Sequence, residues 1–179
     1  MLRLLRAGLI LALLVAFGQT VRAAASEPGV GTSSNLPLPR FASLKSDRVN
    51  LREGPSKEQR TKWIYEKAGL PVEIIAESDN WRRIRDSEGA EGWVLHSLLS
   101  GRRTALVAPW GKEKPVALRT RAEDAAPMSA ALMPNVLATV RSCDTKWCRI
   151  VGEGAEGIKF DGYVPQNQLW GVYPDEKIE

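Results

Sequence analysis

Three short strings occur twice in this chain, in the same order and at nearly constant offset. Val49-Asn50-Leu51-Arg52 returns 67 residues later as Val116-Ala117-Leu118-Arg119. Trp81-Arg82-Arg83-Ile84 returns after 66 as Trp147-Cys148-Arg149-Ile150. Gly92-Trp93-Val94 returns after 70 as Gly162-Tyr163-Val164, with the extra residues in the turn Gly152–Gly157. Ordered landmarks at a fixed offset mean two copies of one supersecondary unit. Each copy has about 65 residues, which is marginal for an open core but workable for a closed barrel.

The periodicity inside each copy is that of strands. Short Val/Ile/Leu/Trp runs bounded by Gly, Pro, Asp and Ser fall at Val49–Arg52, Pro71–Ala76, Trp81–Arg85 and Gly92–Leu95. They recur at Val116–Arg119, Leu137–Arg141, Trp147–Val151 and Gly162–Val164. Closely spaced strands with turn signals between them predict an all-β sandwich or barrel. One stretch departs from this: Pro127–Met133 is Ala- and Met-rich and reads as a helical turn.

The N-terminus reads as a segment that is removed. Arg3 and Arg6 precede an apolar run from Ala7 to Gly18, and Val21-Arg22-Ala23-Ala24-Ala25 offers small residues at a cleavage site. The run is shorter than the roughly 20 residues a membrane span needs. A retained N-terminal anchor is the alternative, but residues 1–25 are expected to be a signal peptide and the mature chain to be periplasmic or secreted, without a membrane span. Cleavage lowers the net charge from +4 to +1, because the three arginines of this segment meet no acid. A chain so near neutrality has no global field for nucleic acid, which is excluded as a partner. The Arg pairs at 82–83 and 102–103 then read as solvated faces. Residues 26–40, rich in Pro, Gly, Ser and Thr, read as a flexible linker.

Cys143 and Cys148 lie close together in a chain bound for an oxidising space, which predicts a disulfide; two buried free thiols are the alternative. Catalytic chemistry is poorly supplied. The one histidine, His96, has no nucleophile or acid motif beside it, and neither a phosphate-binding loop nor a zinc-ligand pattern is present. Gly152-Glu153-Gly154-Ala155-Glu156-Gly157 is lined by acids and reads as a hairpin turn. No enzyme activity, cofactor or metal is expected.

The tryptophans carry more information. Trp81 and Ile84 are three apart, so strand alternation puts them on opposite faces, and the same holds for Trp147 and Ile150. With the isoleucines inward, each Trp faces outward, where it either covers the neighbouring unit or forms a binding platform. Arg83 and Arg85 alternate onto the face of Trp81, and Arg149 lies beside Trp147. These five residues are the candidate ligand-binding set, suited to an anionic and partly apolar ligand. Trp93 and Tyr163 read as inter-strand packing, and Trp170 as the residue that packs the C-terminal tail onto the second unit.

The order V-x-L-R, W-x-R-I, G-[WY]-V resembles the bacterial SH3-like domain. Gly69–Ile75, Trp81–Asp86, Glu91–Val94 and Leu99–Arg103 are similar to a family of exported proteobacterial SH3-like proteins, as are Trp147-Cys148-Arg149 and Leu169–Pro174. The resemblance implies two tandem SH3-like β-barrels, residues 41–107 and 108–175. It also implies a non-catalytic envelope protein that binds peptidoglycan peptides or a protein partner, or else serves as a scaffold with no cell-wall ligand. Residues 162–169 resemble the eukaryotic SH3 ending as well, but its groove aromatic is Gln168 here and Leu98 in the first copy. That substitution argues against proline-rich ligands of the eukaryotic kind.

Overall fold

The computed structural model describes residues 29–154 and 157–179, so the predicted signal peptide lies outside the described residues. A small hairpin of β1 (Gly29–Val30) and β2 (Pro37–Leu38) comes first. The first sheet is built from β3 (Arg40–Leu44), β4 (Val49–Arg52), β5 (Thr61–Tyr65), β6 (Pro71–Ser78), β7 (Trp81–Arg85), β8 (Glu91–Leu95) and β9 (Leu99–Ser100). The second uses β10 (Thr104–Val107), β11 (Val116–Arg119), β12 (Met128–Leu132), β13 (Leu137–Asp144), β14 (Trp147–Glu153), β15 (Lys159–Pro165), β16 (Leu169–Trp170) and β17 (Lys177–Ile178). The strand orders are β5-β4-β8-β7-β6-β3-β9 and β12-β11-β15-β14-β13-β10-β16, with β17 added beside β13. The two orders correspond strand for strand, which makes the molecule two tandem copies of one small antiparallel barrel.

Equivalent residues fill the two cores. Val49, Leu51, Ile74, Ile84 and Val94 are buried in the first barrel, and Val116, Leu118, Val140, Ile150 and Val164 take their places in the second. The repeated glycines close each barrel. A Cβ on Gly92 would lie 2.6 Å from the Leu51 side chain and 2.7 Å from the Arg52 carbonyl; on Gly162 it would lie 2.8 Å from Leu118 and 2.7 Å from the Arg119 carbonyl. Only glycine lets the later strand cross the first so closely.

Several sequence expectations need correction. The expected first unit, 41–107, takes in Thr104–Val107, but β10 pairs with β13 and β16, so the second sheet begins at Thr104. Pro127–Met133 holds no helical turn; it contains β12, which pairs with β11 because Leu132 faces the core and pattern outweighs local propensity. Within the expected linker, residues 29–38 form a hairpin held on the first barrel. Its anchor is Glu77, whose side chain is fully buried. The Glu77 carboxylate accepts hydrogen bonds from the Ser33 and Ser34 amides at 3.0 and 2.8 Å and from the Ser34 hydroxyl at 2.6 Å. Arg40 pairs with it at 2.7 Å and Arg82 at 3.2 Å. Arg82 is therefore a buried ion-pair partner rather than a solvated residue.

In the second barrel the positions equivalent to Glu77 and Arg82 are Cys143 and Cys148, which form the predicted disulfide, with Cα atoms 4.1 Å apart. Both pairs face each other across the same hairpin, Glu77 with Arg82 and Cys143 with Cys148. Closing so short a loop contributes about 2 kcal/mol in the chain-entropy model. A chain end lies against each site: the N-terminal hairpin at Glu77, and β17 beside Cys143.

The barrels meet through a compact seam. Phe41 stacks edge-on against Trp170 with ring centroids 5.3 Å apart and lies 4.7 Å from the Tyr173 ring. Trp170 therefore packs across to the first barrel, not only onto its own. The Tyr173 hydroxyl donates to Glu73 at 3.0 Å, and the Thr104 hydroxyl donates to the Gly69 carbonyl at 2.7 Å. Gly171, at φ +119°, sits where a Cβ would strike the Thr104 carbonyl at 2.3 Å.

Burial alone would push the Glu77 carboxyl up, but the Ser34 hydroxyl, Arg40 and the two serine amides outweigh it and hold the group at about 2. A lowered folded-state value stabilises the fold above the ordinary carboxylate range and loses that contribution as pH falls toward 2. In urea melts from pH 7 to pH 2, Glu77→Gln should be less stable than wild type at neutral pH. The gap should shrink as pH drops through 4.5 toward 2; a gap that does not depend on pH would contradict the buried carboxylate clamp.

Candidate functional site

Alternation along β4 points Val49 and Leu51 inward and Arg48, Asn50 and Arg52 outward. On that outer side the first barrel carries a cavity of about 220 Å³. Its walls are Arg48, Asn50, Arg52, Lys57, Trp81, Leu95 and Leu98. Trp81 leads β7, pairs with Leu95 of β8, and is only 9% exposed. Leu98 ends the 3₁₀ turn His96–Leu98, and Lys57 comes from the loop between β4 and β5. Arg48, Arg52 and Lys57 form no ion pair among the described residues. The Arg52 guanidinium donates to the Gln59 carbonyl at 2.7 Å, which holds it in place without an ion pair, although the Glu58 carboxylate is near enough to feel the charges of Lys57 and Arg52. Three cations thus surround the rim of a Trp–Leu–Leu floor.

The residues expected to flank Trp81 are placed differently. Arg83 and Arg85 share its side of β7, but both bind Glu91 at 2.8 Å, and Arg85 also reaches Glu73 at 3.3 Å. The Arg85 hydrogen bond holds the Glu91 carboxyl below its ordinary value, burial opposes this, and the charges of both arginines assist. Arg83 and Arg85 are therefore neutralised locally and do not line the cavity. In the second barrel Trp147 is half-buried and Arg149 pairs with Asp161 at 2.7 Å. The inter-barrel aromatic contacts seen among the described residues are those of Phe41 with Trp170 and Tyr173.

A cross-strand ladder is common to both copies. Arg52 and Arg83 are the register partners of Trp93 on its two sides, and Arg119 and Arg149 are those of Tyr163. The cavity itself is not duplicated. At the repeat offset, Arg48 becomes Pro115, Asn50 becomes Ala117, Lys57 becomes Asp124, Leu95 becomes Pro165 and Leu98 becomes Gln168. Gln166, which the sequence did not single out, is a buried structural clamp: its amide donates to the carbonyls of Tyr173 and Glu176 at 2.6 and 2.8 Å. His96 is exposed at the mouth of the β8 turn, and its backbone N–H donates to the Asn80 carbonyl. Among the described residues no group of three His, Cys, Asp or Glu side chains is placed to hold a metal ion.

The signal that would have found this cavity was present in the chain. The alternation that sends Val49 and Leu51 inward must send Arg48 and Arg52 outward, on a strand separated from that of Trp81 by β8 alone. What the sequence could not supply was the pairing of Arg83 and Arg85 with Glu91.

Burial separates the two tryptophans in stability. Trp81→Ala should cost about 3–5 kcal/mol in chemical denaturation, as for truncation of a buried aromatic, and Trp147→Ala clearly less. Equal, small losses at both positions would mean that Trp81 is as open as an exposed platform.

A model of the bacterial SH3 domain matches the chain twice, at residues 45–101 and 112–171. No curated protein matches it. Among solved structures, NlpC2 from Trichomonas vaginalis is 13% identical with a TM-score of 0.32, covering 74% of this chain and 48% of that one. An NlpC/P60 family protein from Bacillus cereus is 11% identical with a TM-score of 0.31, covering 73% and 55%. The chain spans about half the length of these structures. The two family matches coincide with the two barrels and take in more than half of the residues, so the chain belongs to the bacterial SH3 domain family.

Proposed function

We propose that this protein is an exported, non-catalytic binding protein of the cell envelope. Its first barrel takes an anionic, partly apolar group, such as the carboxylate-bearing end of a peptidoglycan stem peptide, at the Trp81 cavity. The observation that carries this reading is the set Arg48, Arg52 and Lys57, none of them in an ion pair among the described residues, around an aromatic and aliphatic floor. Arginine recognises a carboxylate through two parallel N–H donors, and the apolar floor adds contact area. The cavity is smaller than the roughly 300 Å³ at which drug-sized pockets begin, so it suits one residue or chain end rather than a whole peptide. Exposed ion pairs contribute roughly 0.2–1 kcal/mol each, so binding at this site alone is weak and sensitive to salt.

The non-catalytic part of the proposal is supported by the isolation of His96 and the lack of a nucleophile–base motif in the sequence. Export is supported by the N-terminal pattern and the disulfide.

Sedimentation of the mature protein with insoluble peptidoglycan tests the reading. Wild type should be retained at low ionic strength and released by added salt. The double variant Arg48→Glu, Arg52→Glu should lower the apparent affinity about tenfold, equivalent to about 1.4 kcal/mol, while Trp110→Ala should behave as wild type. Retention that ignores both salt and the charge reversal, or no retention of wild type, would leave the envelope scaffold as the better account.

A further inference from the structure

The seam between the barrels carries a second groove, of about 590 Å³ and unrelated to the Trp81 cavity. Its volume lies within the roughly 300–1,000 Å³ typical of small-ligand sites. Leu51, Leu70 and Pro71 of the first barrel and Leu106 of the second contribute its apolar surface. Trp63 stands at its side, 60% exposed, and Tyr65 lies deeper, 6% exposed. An exposed tryptophan beside an apolar cleft is out of place on an unliganded surface, where contiguous apolar area is usually kept small.

The two ends of the groove carry opposite charge. Lys67 and Asn135 line both this groove and the adjoining one along the seam, so they mark its inter-barrel end. Asp86 and Glu88, in the turn between β7 and β8, lie on the first-barrel side with Lys62. The Lys62 ammonium donates to the Glu91 carbonyl at 2.8 Å, and two acids against one cation leave this end net negative. The Asp86 carboxylate is held rigidly: one oxygen accepts the Glu88 and Ala90 amides at 3.0 and 2.8 Å, the other the Tyr65 hydroxyl at 2.9 Å. Lys67 and Glu88 have no ion-pair partner among the described residues. The strand that supplies Trp63 and Tyr65, β5, ends its sheet and has one neighbour, β4, so its outer backbone edge is open to an extended chain.

From these features we infer that the seam groove binds a short apolar peptide with free ends. The apolar side chains lie against Trp63 and Leu106, the α-ammonium lies toward Asp86 and Glu88, and the α-carboxylate lies toward Lys67. Extended backbone beside β5 supplies main-chain hydrogen bonds, and alternate side chains enter the groove. A fatty acid would satisfy the apolar wall and Lys67 but would leave Glu88 without a partner. The site needs both barrels, because Leu106 and Asn135 belong to the second. It does not rest on the function proposed for Trp81.

Calorimetric titration of the mature chain with Leu-Leu-Leu, beside the same peptide N-acetylated and C-amidated, tests the inference. The free peptide should bind, and the blocked form should bind at least tenfold more weakly. Trp63→Ala and Glu88→Lys, both at exposed positions that folding does not need, should each weaken the free peptide about tenfold, and Trp110→Ala should not. Equal affinity for free and blocked peptides, an unchanged affinity in Trp63→Ala, or no binding at millimolar peptide would overturn it. So would binding of dodecanoate without binding of the tripeptide.

Discussion

Each barrel depends on one close approach, that of the glycine in G-[WY]-V to the first strand of its repeat. At Gly92 and Gly162 the backbone passes within contact of a buried leucine and of the following arginine's carbonyl, leaving no room for a side chain. The approach lets β8 meet β4, and β15 meet β11, which carries the β4–β5 and β11–β12 hairpins onto the rest of a curled sheet and leaves β5 and β12 at its edge. Curling matters in so small a unit because it lets few core residues be covered by one sheet. The motif also fixes what stands outside: the residue after each glycine, Trp93 or Tyr163, is held between two arginines from neighbouring strands.

With the curl of each sheet provided by the repeated landmarks, the hairpin next to Trp81 and Trp147 can be fastened in two unrelated ways. The first barrel uses a buried carboxylate and guanidinium, and the second uses a covalent bond at the same register. A buried ion pair must recover its desolvation cost through hydrogen bonds, and Glu77 does so with donors taken from the N-terminal hairpin. The first barrel therefore folds together with the segment ahead of it, whereas the disulfide needs no outside donor. The same logic explains why composition misled at residues 29–38. Gly, Ser and Pro suggest a tether, but the serines are there to satisfy a carboxylate more than forty residues away.

Local pattern carried much of the fold. The V-x-L-R, W-x-R-I and G-[WY]-V strands and the fold class were legible because alternation and repetition are written in adjacent residues. The unread strands β3, β5 and β10 were hidden because their placement is set by distant partners. Thr104–Val107 is buried throughout, with no alternation to reveal its face, and its membership in the second sheet depends on β13 and β16. The site was half legible. Trp81 could be named from its motif, but its companions depend on which arginines meet acids. Glu91 neutralises two of them across one strand pair, and nothing within four residues of Trp81 announces it.

Duplication preserved the scaffold and not the cavity. Arg48 to Pro115 and Lys57 to Asp124 are changes at surface positions on a shared frame, while the core valines, leucines and isoleucines of the landmarks stayed apolar. Removing two cations and adding an acid leaves one cation, Arg119, and one acid, Asp124, whose charges cancel, so an anion attracted to the first barrel is not attracted to the second at the equivalent place. The second barrel instead contributes rigidity, through its disulfide and the Gln166 clamp, and contributes one wall of the seam. Phe41, Trp170 and Tyr173 bind the two barrels through aromatic contact, and Tyr173 reaches the same Glu73 that Arg85 holds. That shared carboxylate joins the seam to the outer face of the first barrel. A tandem arrangement of this kind is two different surfaces on one rigid frame, not two equal sites in series.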